Sequence, residues 1–433
     1  MPISPMFSHL PEIEAHIQNL VDEHRYDDAL ANIVVGVHNH YKLPQVAHKQ
    51  LYYPVFDRQI EALTATLAAA NPPSGPASEP SRNTLVIATE LYPVGGHSKV
   101  VEDLMHEFES PTLVLTDMFG SYRKEPLHLL RLFELFGEAS LIVLAQPSMW
   151  ARCRALLKLV QRLNPQAIFH LNHHQDPIGF IGSGSHAGSR KILVHHSDHN
   201  PSLGCTLPGL THLDFSDELA AICSRELHTP TSILPLYVPD GGLKNFAPVE
   251  GNRFSIVTSG THVKFTRTGE LALHKIVQTV LTCTSGDFIH IGPMDKGWQA
   301  EVRNHLQVHQ IDPDRFRPMG AVPSLWESML ALDAHVYLGS APVGGGRAAL
   351  EAQGCGYPLV FHRGADRESL IAVESIYAEK ALGWTTLAEL AQLMSSVGST
   401  LPQLSAQSRA FYERFFSRAQ FRRVLGNVAH LTA

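Results

Sequence analysis

The sequence predicts an α/β protein of two tandem Rossmann-like, doubly wound domains behind a small helical segment. Three observations lead there. Short apolar runs alternate with helical stretches through most of the chain, the mark of parallel strands buried on both faces. The alternation runs twice, with a proline-bounded hinge at residues 239–248 containing Gly241-Gly242 between the two series. Each series opens with a strand followed by a glycine-bearing loop. A length of 433 residues exceeds one ordinary core, and a hydrophobic fraction of 44% is that of a globular chain.

Residues 1–70 form the helical segment. Leu10, Ile13, Ile17, Leu20 and Val21 recur at helical spacing, and Tyr26-Asp27-Asp28-Ala29-Leu30-Ala31 opens a second helix. The pair looks like one helical-repeat hairpin, but no second copy follows, so an array is not supported. It offers a surface for a protein contact. Residues 71–82, with Asn71-Pro72-Pro73-Ser74-Gly75-Pro76-Ala77-Ser78-Glu79-Pro80, are a linker by composition.

The first Rossmann-like domain occupies residues 83–240. Its expected strands are Thr84-Leu85-Val86-Ile87-Ala88, Pro111-Thr112-Leu113-Val114-Leu115-Thr116, Ser140-Leu141-Ile142-Val143-Leu144, Ala167-Ile168-Phe169-His170-Leu171, Lys191-Ile192-Leu193-Val194-His195 and Ala220-Ala221-Ile222-Cys223-Ser224. Helical patterns span residues 99–108 and 150–163. The second domain occupies residues 248–404, with strands Phe254-Ser255-Ile256-Val257-Thr258, Asp287-Phe288-Ile289-His290-Ile291, Ala334-His335-Val336-Tyr337-Leu338 and Pro358-Leu359-Val360-Phe361. Helices at 270–282, 301–308, 324–332 and 347–353 separate them. Residues 405–433 close the chain as one helix carrying Phe411, Phe415, Phe416 and Phe421. Two such domains are expected to form a cleft at the carboxyl ends of their strands, where doubly wound folds bind ligands.

A net charge of −7 argues against a nucleic-acid binder. The first residues lack a basic segment followed by an apolar core, and no apolar run approaches the roughly 20 residues that cross a bilayer. The five cysteines are scattered and never spaced as C-x-x-C, which fits a reduced, cytoplasmic protein.

The strongest motif is Leu338-Gly339-Ser340-Ala341-Pro342-Val343-Gly344-Gly345-Gly346-Arg347-Ala348-Ala349-Leu350-Glu351-Ala352-Gln353-Gly354-Cys355-Gly356-Tyr357-Pro358-Leu359-Val360. It reads strand, glycine turn, helix, glycine break, strand. Consecutive glycines let backbone N–H groups approach an anion, and the helix N-terminus adds a favourable dipole. The plainer reading is a tight turn of any Rossmann-like domain. The whole string resembles the donor-binding half of GT-B glycosyltransferases, in which a Pro-Gly turn, a helix carrying Leu-Glu-Ala and a Cys-Gly-x-Pro strand hold a nucleoside diphosphate sugar. The resemblance implies donor contacts from Ser340, Gly344, Gly345, Gly346 and Arg347, with Glu351 on the ribose hydroxyls. The retaining branch carries a second glutamate eight positions earlier. Val343 stands there in this chain, which favours inversion.

Two further loops extend the resemblance. Thr89-Glu90-Leu91-Tyr92-Pro93-Val94-Gly95-Gly96-His97-Ser98-Lys99 looks like the acceptor loop of inverting GT-B enzymes, with Ser98 capping the helix and His97 as general base. An ordinary imidazole pKa near 6.5 suits removal of an acceptor hydroxyl proton. Alternatively His97 merely packs in a glycine turn whose Gly95 and Gly96 amides are open to acceptor, sugar or phosphate. In Thr258-Ser259-Gly260-Thr261-His262-Val263-Lys264-Phe265 the family places a basic residue against the leaving diphosphate. Lys264 is the first choice, beside Gly260, with Arg267 and Arg347 as substitutes.

The 26 histidines include two clusters, His170-Leu171-Asn172-His173-His174-Gln175-Asp176 and His195-His196-Ser197-Asp198-His199, each after a strand. The second partly imitates the ligand string of metallo-β-lactamase-like hydrolases, but Val194 occupies its first position. Metal binding, acceptor or sugar contacts from His173, His196, Asp198 and His199, and structural hydrogen bonding all stay open; no metal or cofactor is assigned. Leu213-Asp214-Phe215-Ser216-Asp217-Glu218-Leu219-Ala220-Ala221-Ile222-Cys223-Ser224 matches the family in outline, an acidic residue before a strand ending in serine. The function this implies is metal-independent, inverting transfer of a sugar from a nucleoside diphosphate donor, UDP-linked by preference, to a protein, lipid or saccharide acceptor. A nucleotide-sugar epimerase of the same architecture, a non-catalytic nucleotide-sugar binder and a metal-dependent hydrolase are the alternatives.

Overall fold

The computed structural model describes residues 10–43, 46, 50–72, 80–93, 96–195, 201–246, 249, 251–364 and 374–429. Two compact units emerge: Met1–Leu234 with Val424–Ala433, and Pro235–Arg423.

In the first unit, β1 (Ser81–Ala88), β2 (Pro111–Leu115), β3 (Leu141–Val143), β4 (Pro165–Leu171), β5 (Arg190–Val194), β6 (Leu210–Asp214) and β7 (Thr231–Ile233) form a parallel sheet in the order β3-β2-β1-β4-β5-β6-β7. The order reverses between β1 and β4, so the loops after these two strands flank the switch point where doubly wound folds bind ligands. The front helices α1 (Leu10–Asp22), α2 (Tyr26–His40) and α3 (Pro54–Ala70) are continuous with this domain. Ile13, Ile17, Phe56 and Leu63 bury their side chains in one core with Leu85 and Ile87 of β1 and Ile168 of β4. Each contributes about 1.5–3 kcal/mol on leaving water. Asp57 of α3, fully buried, accepts hydrogen bonds from the Gly204 and Thr206 amides and the Thr206 hydroxyl, at 2.7, 2.9 and 2.6 Å. The remaining helices are α4 (Gly96–Glu107), α5 (Ser121–Lys124), α6 (Pro126–Phe136), α7 (Met149–Leu163), α8 (Ile178–Gly184) and α9 (Asp217–Leu227).

The second unit repeats the plan. Its strands are β8 (Ile256–Ser259), β9 (Phe288–Ile291), β10 (Phe316–Gly320), β11 (Val336–Leu338), β12 (Leu359–His362) and β13 (Leu382–Trp384), in the parallel order β10-β9-β8-β11-β12-β13. Side chains alternate across this sheet. Ile256, Phe288, Val336, Leu338 and Val360 enter one core, while Val257, Ile289, Tyr337 and Leu359 enter the other. Helices α10 (Leu273–Cys283), α11 (Lys296–Val308) and α14 (Leu387–Val397) supply the first core; α12 (Leu325–Ala331), α13 (Gly346–Gly354) and α15 (Leu401–Phe415) supply the second. α16 (Arg418–Ala429) completes the described chain.

Several elements differ from expectation. The predicted strand Ala220 to Ser224 lies inside α9, whose start is set by Ser216: its hydroxyl accepts from the Leu219 amide at 3.2 Å, with Asp217 and Glu218 in the first turn. The strand preceding it is β6, whose buried His212 and Asp214 break the apolar run that marks its neighbours. The single helix expected from residue 405 is two. α15 ends at Phe415, and Ser417 Oγ accepts from the Gln420 amide at 3.4 Å to start α16. β1 begins at Ser81, inside the expected linker, whose residues 73–79 are outside the described set.

Candidate active site

In the second sheet the strand order reverses between β8 and β11. Two predicted loops leave the sheet there. After β8, Gly260 takes a φ of +145°, a backbone region open to glycine, and a Cβ added to it would stand 3.1 Å from the Lys264 Cδ. The chain then turns through residues 262–264 and delivers Lys264 across to the loop after β11, where its Nζ donates to the Gly344 carbonyl at 3.3 Å. A Cβ on Gly345 would lie 3.1 Å from the same Nζ. Lysine and glycine turn thus occupy one place, and a phosphate-sized anion there meets an ammonium and the first amides of α13. Gly345 precedes α13 and makes no side-chain cap, and α13 starts at Gly346, so the first-turn N–H groups of Gly346, Arg347 and Ala348 have no intrahelical acceptor.

Of the other donor-side residues, Ser340 is buried and its hydroxyl donates to the Val343 carbonyl at 2.7 Å, which shapes the turn itself. Arg347 donates to the Tyr237 carbonyl at 3.0 Å and approaches Glu351 one turn on, at 3.8 Å. Arg267 is held by Asp295 and Glu301 at 3.6 and 3.8 Å and lies over the Trp298 ring. Beneath the site, the Ser259 and Tyr337 hydroxyls share a buried hydrogen bond of 2.7 Å. Burial, then the Glu351 carboxylate, push the Tyr337 phenol up, so it stays protonated. Sequence reasoning missed Tyr377, whose hydroxyl would be 3.1 Å from a Cβ on Gly344. It belongs to no motif and to no strand or helix, so no pattern pointed to it.

The first sheet has its switch point between β1 and β4. His97, in the first turn of α4 after β1, places Nε2 2.9 Å from the Leu171 carbonyl, the last residue of β4. A carbonyl only accepts, so Nε2 carries the proton and Nδ1 holds the lone pair of the neutral ring. Burial lowers the His97 pKa, partly offset by that hydrogen bond. A neutral ring is the form a general base requires. Gly96 is the exposed first residue of α4. Ser98 does not cap the helix from outside. It lies within the first turn, buried, and accepts from the Tyr92 amide at 2.7 Å, tying the loop back.

The first histidine cluster spans the end of β4 and the loop after it and is organised by Asp176. This buried carboxylate accepts from the hydroxyls of Thr89 and Thr116 at 2.6 and 2.5 Å, from Asn172 at 3.2 Å and from the Ile178 amide at 2.9 Å. It pins the loops that leave β1, β2 and β4. His173, within that frame, donates its amide to Thr89 Oγ1 at 2.7 Å, and burial lowers its imidazole to about 4. Its ring meets Phe119 edge-on at 5.1 Å and His174 at 4.1 Å. His195 is also buried and faces its own domain core. Gly95, His196, Asp198 and His199 lie outside the described residues.

Among solved structures, this chain is similar to Anabaena HepE in complex with UDP, with a TM-score of 0.60, 14% identity and coverage of 81% of this chain and 100% of that one. It is similar to the apo lipopolysaccharide outer core galactosyltransferase WaaB, with a TM-score of 0.58, 11% identity and coverage of 80% and 99%. A mutant O-GlcNAc transferase from Thermobaculum terrenum aligns over 98% of this chain and 83% of its own, at a TM-score of 0.51 and 15% identity. The chain has the GT-B fold. No protein-family model and no curated protein matches this GT-B chain by sequence. Among its described residues no helix is long and apolar enough to cross a membrane.

Proposed function

We propose that this GT-B chain is a metal-independent glycosyltransferase that moves a sugar from a nucleoside diphosphate, UDP by preference, to an acceptor hydroxyl with inversion. The observation that carries the proposal is the Lys264 ammonium held against the Gly344 carbonyl at the mouth of α13. Complexes of HepE with UDP and with UDP-glucose support the choice of donor. In this reading the second unit is the donor domain. The diphosphate lies on the amides around Gly344, Gly345 and Gly346, Lys264 neutralises it, Gly260 gives it room, and Glu351, steadied by Arg347, takes the ribose. The first unit is the acceptor domain, with Gly95, Gly96, His173, His196, Asp198 and His199 in reach of acceptor or sugar.

As the acceptor oxygen attacks the anomeric carbon, the bond from that carbon to the diphosphate oxygen breaks and the electron pair leaves with the diphosphate. Lys264 and the helix amides stabilise the charge that develops there. His97 Nδ1 takes the acceptor proton. Neutral His97, fixed in tautomer by Leu171, suits this step.

The test is a thermal-shift panel of nucleoside diphosphates and their sugars, followed by product analysis. UDP and one UDP-sugar are expected to raise the melting temperature, and UDP release is expected to require an acceptor. Absence of a shift with every nucleotide overturns the donor site. Conversion of the donor sugar without any acceptor points to an epimerase instead.

A further inference from the structure

The first unit holds a second assembly of reactive side chains, away from its β1–β4 switch point. His195 follows β5, His212 and Asp214 lie on β6, and Cys223 lies on α9. All four side chains are buried, none more than 1% exposed. One ligand atom from each of His195, His212 and Cys223 falls within 4.8 Å of the others. Asp214 Oδ1 lies beside two of them, 3.1 Å from His195 Nδ1 and 3.5 Å from Cys223 Sγ, while Cys223 Sγ is 3.6 Å from His195 Nδ1.

Hydrogen bonds within the group satisfy His195, Cys223 and one oxygen of Asp214, but not the rest. Both ring nitrogens of His212 and the Asp214 Oδ2 are buried with no hydrogen-bond partner among the described residues. Such orphaned polar atoms are costly in a dry core. Two neutral imidazoles, one thiolate and one carboxylate sum to two negative charges, which a divalent cation cancels, leaving a buried neutral unit. Ligand atoms around a tetrahedral zinc are about 3.3–3.8 Å apart; those of His195, Cys223 and Asp214 stand at 3.1–3.6 Å, and that of His212, within 4.8 Å of His195 and Cys223, has to move inward to complete the set. The outward nitrogen of His195 is also engaged: Nε2 is 3.7 Å from Cys205 Sγ, a contact that orients the ring as outer partners of metal-bound histidines do.

We propose that His195, His212, Asp214 and Cys223 bind one divalent transition metal, zinc from the nitrogen and sulfur donor set, as a structural staple joining β5, β6 and α9. The site is closed on every side by burial, so it holds no position for substrate and works independently of sugar transfer.

The experiment uses the full chain, expressed with zinc in the medium and assayed by elemental analysis. About one zinc per chain is expected, falling to less than about a tenth in Cys223→Ser and His212→Ala, with exposed His309→Ala unchanged. Chelation followed by cobalt titration of the wild-type chain is expected to give tetrahedral cobalt absorption with a thiolate charge-transfer band, and Cys223→Ser to lose that band. The wild-type measurements decide the matter even where a variant does not fold. A wild-type chain with no stoichiometric transition metal and no cobalt band overturns the site.

Discussion

Lys264 and Gly344 sit on loops from different strands of the second sheet, yet the lysine Nζ reaches the glycine carbonyl at 3.3 Å. The contact fixes a cation at the point where β8 and β11 diverge, beside the first turn of α13. Lys264→Ala removes the charge and leaves the glycine turn. Charge-assisted hydrogen bonds contribute about 1.5–3 kcal/mol, so the dissociation constant for UDP is expected to rise by roughly 10- to 150-fold. Uridine, which has no phosphate, should bind the variant and the wild type alike. Calorimetric titration of both ligands checks this, and equal weakening of uridine and UDP would remove Lys264 from the diphosphate site.

Gly345 tests the same geometry from the other side. Its φ of −117° is open to any residue, so alanine introduces no backbone strain. Its Cβ, however, would arrive 3.1 Å from Lys264 Nζ. Gly345→Ala is therefore expected to leave the melting temperature within a few degrees of wild type while weakening UDP by several-fold. A loss of stability as large as the loss of binding contradicts this reading.

His97 separates chemistry from binding. His97→Gln preserves a donor for the Leu171 carbonyl but offers no imidazole base. Donor affinity should persist while the transfer rate drops by about 10²- to 10⁴-fold, the usual contribution of general base catalysis. The wild-type rate should fall on the acid side with a midpoint below 6.5, because burial lowers the His97 pKa and the neutral form survives to lower pH. A pH–rate profile with its acid limb above 6.5, or an unchanged rate in the variant, rules His97 out as the base.

Much of this arrangement was legible in the sequence because both halves announce a strand, a glycine-bearing loop and a helix at the point where the strand order of each sheet reverses. The Gly344 to Gly346 run and Lys264 could each be found, and the structure brings them to one place. What the sequence could not give was pairing at a distance. Nothing in the spacing of Asp176 links it to Thr89 and Thr116, which are far away in the chain and donate to it across three loops. The run Ala220-Ala221-Ile222-Cys223-Ser224 reads as a strand on composition, yet the Ser216 cap makes it a helix. β6 stayed hidden because His212 and Asp214 are polar residues at core positions. β10 and β13 are edge strands, one carrying Pro318 and the other three residues long, and neither offers an apolar run.

Asp57 gives the fold a pH signature. Burial raises its carboxyl to about 6, against the lowering effect of its hydrogen bonds from Thr206 and Gly204. The ordinary value in an unfolded chain is 3.8. Between those two values the folded protein binds a proton that the unfolded chain does not, so the Asp57 contribution to stability grows as pH falls and is lost as pH rises through 6. Asp57→Asn abolishes this linkage. The stability gap between wild type and variant is therefore expected to widen in favour of wild type by about 1.4 kcal/mol for each unit of acidification from pH 6 to 4. Urea denaturation of both proteins at pH 6.0, 5.0 and 4.2, followed in the first unit by the fluorescence of Trp150 with the other tryptophans replaced, measures the gap directly. A gap that stays constant with pH would show that Asp57 titrates near its ordinary value in the folded chain, and that its three donors, rather than its burial, set its ionisation.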